Sequence, residues 1–257
     1  MIPCRLIIDP PSPGAWNMAL DEALLESAQN EGIATLRFYS WREPTLSLGY
    51  FQPQADRQLH AASAECALVR RATGGGAILH HHELTYSIVL PSSHPLAKPA
   101  EKLYQAVHQS LIKTLTEFGA AATLCELGVS TESDRAGKPF LCFQRREAGD
   151  VLLGEHKIAG SAQRRQRGTV LQHGSVLWAR SAFAPELPGI TDLIEGVSQS
   201  GHGHAQGISR LLELWPAHLC ASLNLDAQPD RLAESLISDA REIEQRKYLD
   251  SSWTCRR

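Results

Sequence analysis

The stretch VRRATGGGAILHHHELTYS, residues 69–87, places three successive glycines between two apolar runs. Glycines in a row let the backbone approach a ligand closely and present its N–H groups. Arg70 and Arg71, just before them, add donors suited to a phosphate or carboxylate. No Gly-Lys-Ser/Thr follows, so this is not a Walker loop, and the glycine spacing is not that of a dinucleotide fingerprint. Taken alone, the segment is either a ligand-binding loop or a glycine-rich hairpin turn.

Working outward, strand-like runs flank this loop. They fall at Ala34–Ser40, Thr45–Phe51, Ala67–Arg70, Gly76–His80 and Leu84–Leu90, with a turn near Glu43–Pro44. Further runs fall at Asp150–Leu153, His156–Ala159 and Thr169–Trp178. Helical spacing marks Asn17–Ala28, where Leu20, Leu24 and Leu25 form a stripe and Asp21 and Glu22 read as acidic residues near the helix start. It also marks Glu101–Phe118, where Leu103, Val107, Leu111, Leu115 and Phe118 recur before Gly119. Ile208–Leu223 reads as helical but broken at Pro216, and Asp230–Tyr248 as helical. Ser130–Pro139 reads as a loop and Ser198–Gly207 as a mobile connection. Strands and helices out of strict alternation predict an α+β fold of mixed β-sheets packed with helices. With 257 residues, a single domain over 1–257 is expected, without a separate accessory domain.

Net charge is −3, which gives no bulk attraction for nucleic acid, and the basic residues are not interleaved with aromatics. No apolar run reaches membrane-spanning length, and the start lacks a secretory pattern, so a cytoplasmic protein is expected. The six cysteines form no C-x-x-C pair and read as free thiols in a reducing compartment. Cys142, in PFLCF, is by itself more in keeping with an inert core thiol. Lys157, in GEHKIAGSAQRR, is by itself an ordinary hairpin lysine, although Gly160, Ser161 and Ala162 beside it suit a narrow channel.

Taken together, these segments resemble the lipoate-protein ligase and octanoyltransferase superfamily, to which the biotin ligases also belong. VRRATGGGAILHHHELTYS looks like that family's Arg-Arg-x-Thr/Ser-Gly-Gly-Gly-x-x-x-His segment. KIAGSAQRR with VLQHGSVL at 170–177 looks like its lysine strand and the strand that follows. NMALDEALL (17–25), RFYSWREPTLSLGYFQ (37–52) and KYLDSSW (247–253) match in family order. The resemblance implies a catalytic domain of the biotin/lipoate protein ligase type. Cys142, fifteen residues before Lys157, is similar to the cysteine/lysine dyad of octanoyltransferases. Ligases carry an Asn-Asp pair before the lysine strand, where this chain has Gly149-Asp150. Gln144-Arg145-Arg146-Glu147 departs from the aromatic and proline-containing segment of the transferase branch.

The resemblance therefore implies Cys142 and Lys157 as catalytic residues, since only a thiolate attacks well and a neighbouring ammonium favours it. Arg71, Thr73, Gly74, Gly75, Gly76, His80, Gly160, Ser161 and Ala162 would shape the substrate pocket. An octanoyl or lipoyl group would pass from acyl carrier protein through a Cys142 thioester to a lysine of a lipoyl domain. That domain would be a glycine cleavage H protein or the E2 of a 2-oxoacid dehydrogenase. Arg145, Arg146, Arg164 and Arg165, with Arg167, could steer an acidic carrier, or be a solvated basic face. The transferase needs no cofactor; the alternative, a ligase making lipoyl-AMP, needs ATP and Mg. A biotin ligase lacks support from its own glycine loop, and a non-catalytic acyl-binding protein stands as the third reading. His80 to His82 and His202-x-His204 lack sequence partners for a tetrahedral site, so no metal is expected.

Overall fold

The protein is described by a computed structural model, in which residues 1–126, 139–194 and 204–256 are described. The loop read at Ser130–Pro139 lies outside them except for Pro139, as do residues 198–203 of the connection and His202.

Strand β1 (Ile2–Ile8) leads into helix α1 (Gly14–Glu31) and strand β2 (Ala34–Tyr39). Strands β3 (Thr45–Leu48), β4 (Ala67–Arg70), β5 (Ile78–His80) and β6 (Glu83–Leu90) follow. Helix α2 (Ala100–Thr116) precedes β7 (Ala122–Leu124), β8 (Val151–Leu153), β9 (His156–Gln166) and β10 (Thr169–Leu177). The chain then forms the short α3 (Ile190–Leu193), the long α4 (His204–Leu223), β11 (Leu225–Pro229), α5 (Glu234–Ile243) and a terminal turn α6 (Ser251–Thr254).

The main sheet runs β11-β1-β2-β6-β10-β9-β8-β7, and a small sheet runs β4-β3-β5. The β11–β1–β2 edge is parallel, whereas β2–β6–β10–β9 is antiparallel. The fold is α+β with mixed sheets. Side chains alternate across a strand. Leu36, Phe38, Tyr86, Ile88, Val170 and Val176 point to one face, where α2 and α4 bring Leu111 and Trp215. Tyr39, Val89 and Leu171 point to the other, where α1 and α5 bring Leu24 and Leu236. Covered on both faces, β2, β6 and β10 are buried along their whole length.

Helix α1 begins earlier than its apolar stripe suggests. Asp21 and Glu22 consequently sit well inside it and are buried, rather than capping its start. Glu22 accepts from Lys247 and Tyr248 on the wide helical turn Glu244–Tyr248 that ends α5. Asp21 and Asn17 hold the buried Arg37 guanidinium, which also pairs with Asp9. Gly32 closes α1 in the left-handed region (φ 70°), its N–H bonded to the Ala28 carbonyl.

Pro216 does not break α4. The helix runs through it because Leu211, Trp215, Leu219 and Leu223, on both sides of the proline, are all buried in the core. Their burial outweighs the roughly 3 kcal/mol cost of an interior proline. The strand read over Thr45–Phe51 stops at Leu48, and that read over Gly76–His80 begins at Ile78. The strand read over His156–Ala159 instead continues to Gln166, taking Gly160 to Ala162 into the sheet.

Candidate active site

Three segments converge on one cavity between the main sheet and the glycine loop. Cys142 opens a single helical turn, Cys142–Gln144, anchored by the buried Leu141 and Phe143 on either side. Its N–H donates to the Ala77 carbonyl (2.7 Å), and the Ala77 N–H donates to the Phe140 carbonyl (3.0 Å). The cysteine is thereby tied to the residue after the glycines and is itself half-buried.

Lys157 stands near the start of β9. The β8–β9 register slips between Val151 and Leu152, with Val151 opposite Ala159 and Leu152 opposite Lys157. A bulge of this kind re-aims a side chain. The Lys157 Nζ lies 3.8 Å from Cys142 Sγ and 2.7 Å from Asp150 Oδ2. The Phe143 ring centroid is 5.4 Å from the ammonium. Burial opposes the charge on Lys157, but Cys142 and Asp150 outweigh it, and the amine titrates above its ordinary value. A Cβ on Gly160 would meet Lys157 Cε at 2.6 Å and Asp150 Oδ1 at 3.1 Å, which explains the glycine there.

The glycine loop wraps a buried guanidinium. Arg71 Nη2 donates to the carbonyls of Gly74 and Gly76 (2.7 Å each), and Nη1 to that of Ser47 (2.8 Å). Gly75 has φ 95°, and a Cβ on Gly49 would lie 2.0 Å from the Gly75 oxygen, so both need glycine. With the carbonyls turned to Arg71, the Gly74–Gly76 amides have no protein acceptor among the described residues. Thr73 Oγ1 lies 2.7 Å from His173 Nε2, and His173 Nδ1 lies 3.2 Å from Asp21 Oδ2. Burial raises the Asp21 pKa, but His173 and Arg37 outweigh it and hold the carboxyl below its usual range. The charged carboxylate therefore accepts from Nδ1, and Nε2 shares a hydrogen bond with the Thr73 hydroxyl. His80 stacks on Trp41 (3.9 Å between centroids) and meets Ser47 Oγ and Glu83.

The cavity measures about 280 Å³. Its wall includes Arg71, all three glycines, His80, Cys142, Lys157 and the Gly160–Ala162 segment. Thr73 is not on that wall but holds the loop from behind. That volume is at the small end of ligand pockets, which run from ~300 to ~1,000 Å³.

The arginines grouped by sequence do not act alike. Arg145 turns inward onto the cavity wall. Arg164 donates to the Ala72 carbonyl, and Arg165 to the Ala97 carbonyl and Gln163. Arg146 lies 3.9 Å from Glu155 beside a separate groove, and Arg167 is exposed. Among the histidines, His81 and His82 stack on each other, away from this cavity.

Two residues escaped sequence reasoning. Asp150 stood there only as a difference from the ligase pair, yet its carboxylate holds Lys157. His108, on the inner face of α2, bonds the Gly149 carbonyl through Nδ1 and Ser161 Oγ through Nε2 (2.6 Å). Burial, helped by the Lys157 charge, pushes its pKa down to about 4, so the imidazole is neutral. A histidine four residues after Tyr104 on the helix's apolar stripe was the available signal.

Residues 13–184 match the family model of the lipoyl protein ligase A/B catalytic domain. The chain belongs to this family. Lipoyl protein ligase A/B relatives include Octanoyltransferase LipM of Brevibacillus brevis, 28% identical over 98% of this chain and 99% of that protein. Octanoyltransferase LipM of Staphylococcus aureus is 30% identical over 94% of each chain. Among solved structures, a lipoate-protein ligase A bound with ATP superposes with a TM-score of 0.75 at 23% identity, covering 99% of both chains. The bipartite lipoate protein ligase of Thermoplasma acidophilum gives a TM-score of 0.73 at 22% identity, covering 99% of this chain and 97% of that one. At those identities the structures establish a lipoyl protein ligase A/B fold. The full-length sequence matches are to transferases.

Proposed function

We propose that this chain is an octanoyltransferase of protein lipoylation, using Cys142 as nucleophile and Lys157 as its proton partner. The observation that carries the reading is a half-buried thiol 3.8 Å from a buried ammonium on the wall of one cavity of about 280 Å³. The donor is the octanoyl thioester of acyl carrier protein, and the acceptor is a lysine of a lipoyl domain.

In the first half-reaction the Cys142 thiolate attacks the thioester carbonyl carbon, and the carbonyl electrons move to oxygen. The adduct collapses, the bond to the donor sulfur breaks, and Lys157 gives that sulfur a proton. In the second, the acceptor amine attacks the Cys142 thioester. The Cys142–acyl bond breaks, and Lys157 recovers a proton from the new amide nitrogen. Asp150 keeps Lys157 in place through both transfers. The thioester supplies the driving force, so neither ATP nor Mg enters. The Gly74–Gly76 amides, without a protein acceptor among the described residues, lie on the same cavity wall and would serve the anion that develops.

Intact-protein mass after incubation with octanoyl carrier protein, without ATP, should rise by one octanoyl group and stay unchanged for Cys142→Ala. An equal adduct on Cys142→Ala removes the nucleophile. Product that forms only from free acid and ATP replaces this reading with a ligase.

A further inference from the structure

The Lys157–Asp150 pair leaves a charge deficit at the reacting centre. Lys157 is committed to Asp150 at 2.7 Å, so together they are neutral. A thiolate or an oxyanion at Cys142 then needs a net cation from elsewhere. Two guanidinium groups on the cavity wall have no carboxylate partner among the described residues. Arg71 is one, but both its Nη atoms are committed to Ser47 and to the loop carbonyls, and its remaining donor, Nε, is buried out of reach of a substrate. Arg145 is the other.

Arg145 is braced from one side only. Its Nε and Nη2 both donate to the Pro139 carbonyl, which leaves Nη1 without a protein acceptor among the described residues. Its backbone N–H closes the Cys142 turn by donating to the Cys142 carbonyl (3.1 Å). The guanidinium is also close to the cysteine. A Cβ on Gly76 would stand 3.1 Å from Arg145 Cζ and 3.1 Å from both Cα and N of Cys142. Glycine at 76 lets the two approach. Glu147 also faces the cavity, but its side chain is exposed and screened by water.

We infer that Arg145 is a catalytic residue, its open Nη1 donating to the oxygen that turns negative when Cys142 attacks an acyl carbonyl. The inference rests on the transferase reading for its substrate, and on the charge deficit beside Cys142 for its physics. No bond to Arg145 forms or breaks; it supplies a fixed positive donor as electrons move from the C=O bond onto oxygen. It lies in the segment where this sequence departs from the transferase pattern, so the donor is a local feature of this chain.

The test compares Arg145→Gln with Arg145→Lys, with Arg145→Met retaining the stem should Gln unfold. Single-turnover acylation by octanoyl carrier protein should slow by about 10²-fold in Gln or Met and by less in Lys. The second readout needs no substrate: the pH profile of Cys142 alkylation by iodoacetamide. It should move to higher pH in Gln and Met and stay near wild type in Lys. Lys157, Asp150, Arg71 and Glu147, the other charged groups around the thiol, are unchanged in all three. Slower acylation that Lys fails to rescue, with an unmoved alkylation profile, would mean that Arg145 only braces Pro139, which overturns the inference. So would wild-type rates throughout. A shifted profile in a protein that accepts no octanoyl group would sink the transferase reading and leave the charge role standing.

Discussion

At the scale of single residues, the site holds a lysine charged and a histidine uncharged close enough for the one charge to act on the other. Asp150→Asn removes the carboxylate that supports Lys157 and should lower the acylation rate about 10²-fold with little change in KM. Stopped-flow acylation set beside a thermal melt separates this from misfolding. Gly76→Ala should also slow acylation, since its methyl would crowd the Cys142 backbone at 3.1 Å; slower Cys142 alkylation would report it. His108 carries a pH signature. Its folded pKa of about 4 lies below the ordinary histidine value of about 6.5. Between those values the unfolded chain binds the extra proton, so the His108 contribution is intact above pH ~6.5 and is lost as pH falls toward ~4. Urea unfolding at pH 7 and pH 4.5 should show wild type losing up to about 3 kcal/mol more than His108→Gln. Equal losses would assign the acid sensitivity to the carboxylates. That Cys142 and Lys157 belong together was legible through the family resemblance, Lys157 lying inside a long motif and Cys142 fifteen residues before it. Asp150 and His108 were not, because each acts through a contact across the fold, and neither spacing nor residue type announces one.

At the scale of elements, polar side chains on helix α1 do work that its apolar stripe conceals. Asp21 answers Arg37, receives Tyr39 and orients His173. Asp21→Ala leaves a buried guanidinium with Asp9 as its one remaining carboxylate, and should cost about 3 kcal/mol in chemical denaturation. It should also loosen Thr73, which hydrogen exchange at the glycine loop would detect. The same helix shows why pattern reading stopped short. Leu20, Leu24 and Leu25 advertised a buried stripe, but the acidic residues between them read as charges near the helix start. Strands β2, β6 and β10 were found because their apolar runs are long. Strands β1, β7 and β11 were missed: β7 has three residues, and β11 has five ending in a proline. Pro216 misled in the opposite direction, since an interior proline argues for a break until the burial on both sides of it is known.

At the scale of the whole molecule, no helix among the described residues is long and apolar enough to cross a membrane. Arg165 and Arg167 are the exposed members of the basic group, and the half-buried Arg146 lies beside Glu155 at a separate groove. If they steer an acidic donor, kcat/KM should fall several-fold between roughly 0.02 and 0.3 M salt, while single-turnover acylation at saturating donor holds steady. A flat salt response would leave them as solubilising charge. The edge of the main sheet carries another consequence. β11 lies parallel to β1, with Ile2 opposite Leu225. On the ribosome, β1 must wait for the synthesis of Leu225–Pro229 before its outer edge is covered. Until then its bare amides form a template for pairing with a neighbouring nascent chain. Synthesis order thus makes the sheet's final closure a late event, and chains stalled short of residue 225 should be cleaved readily by added protease where the finished protein resists.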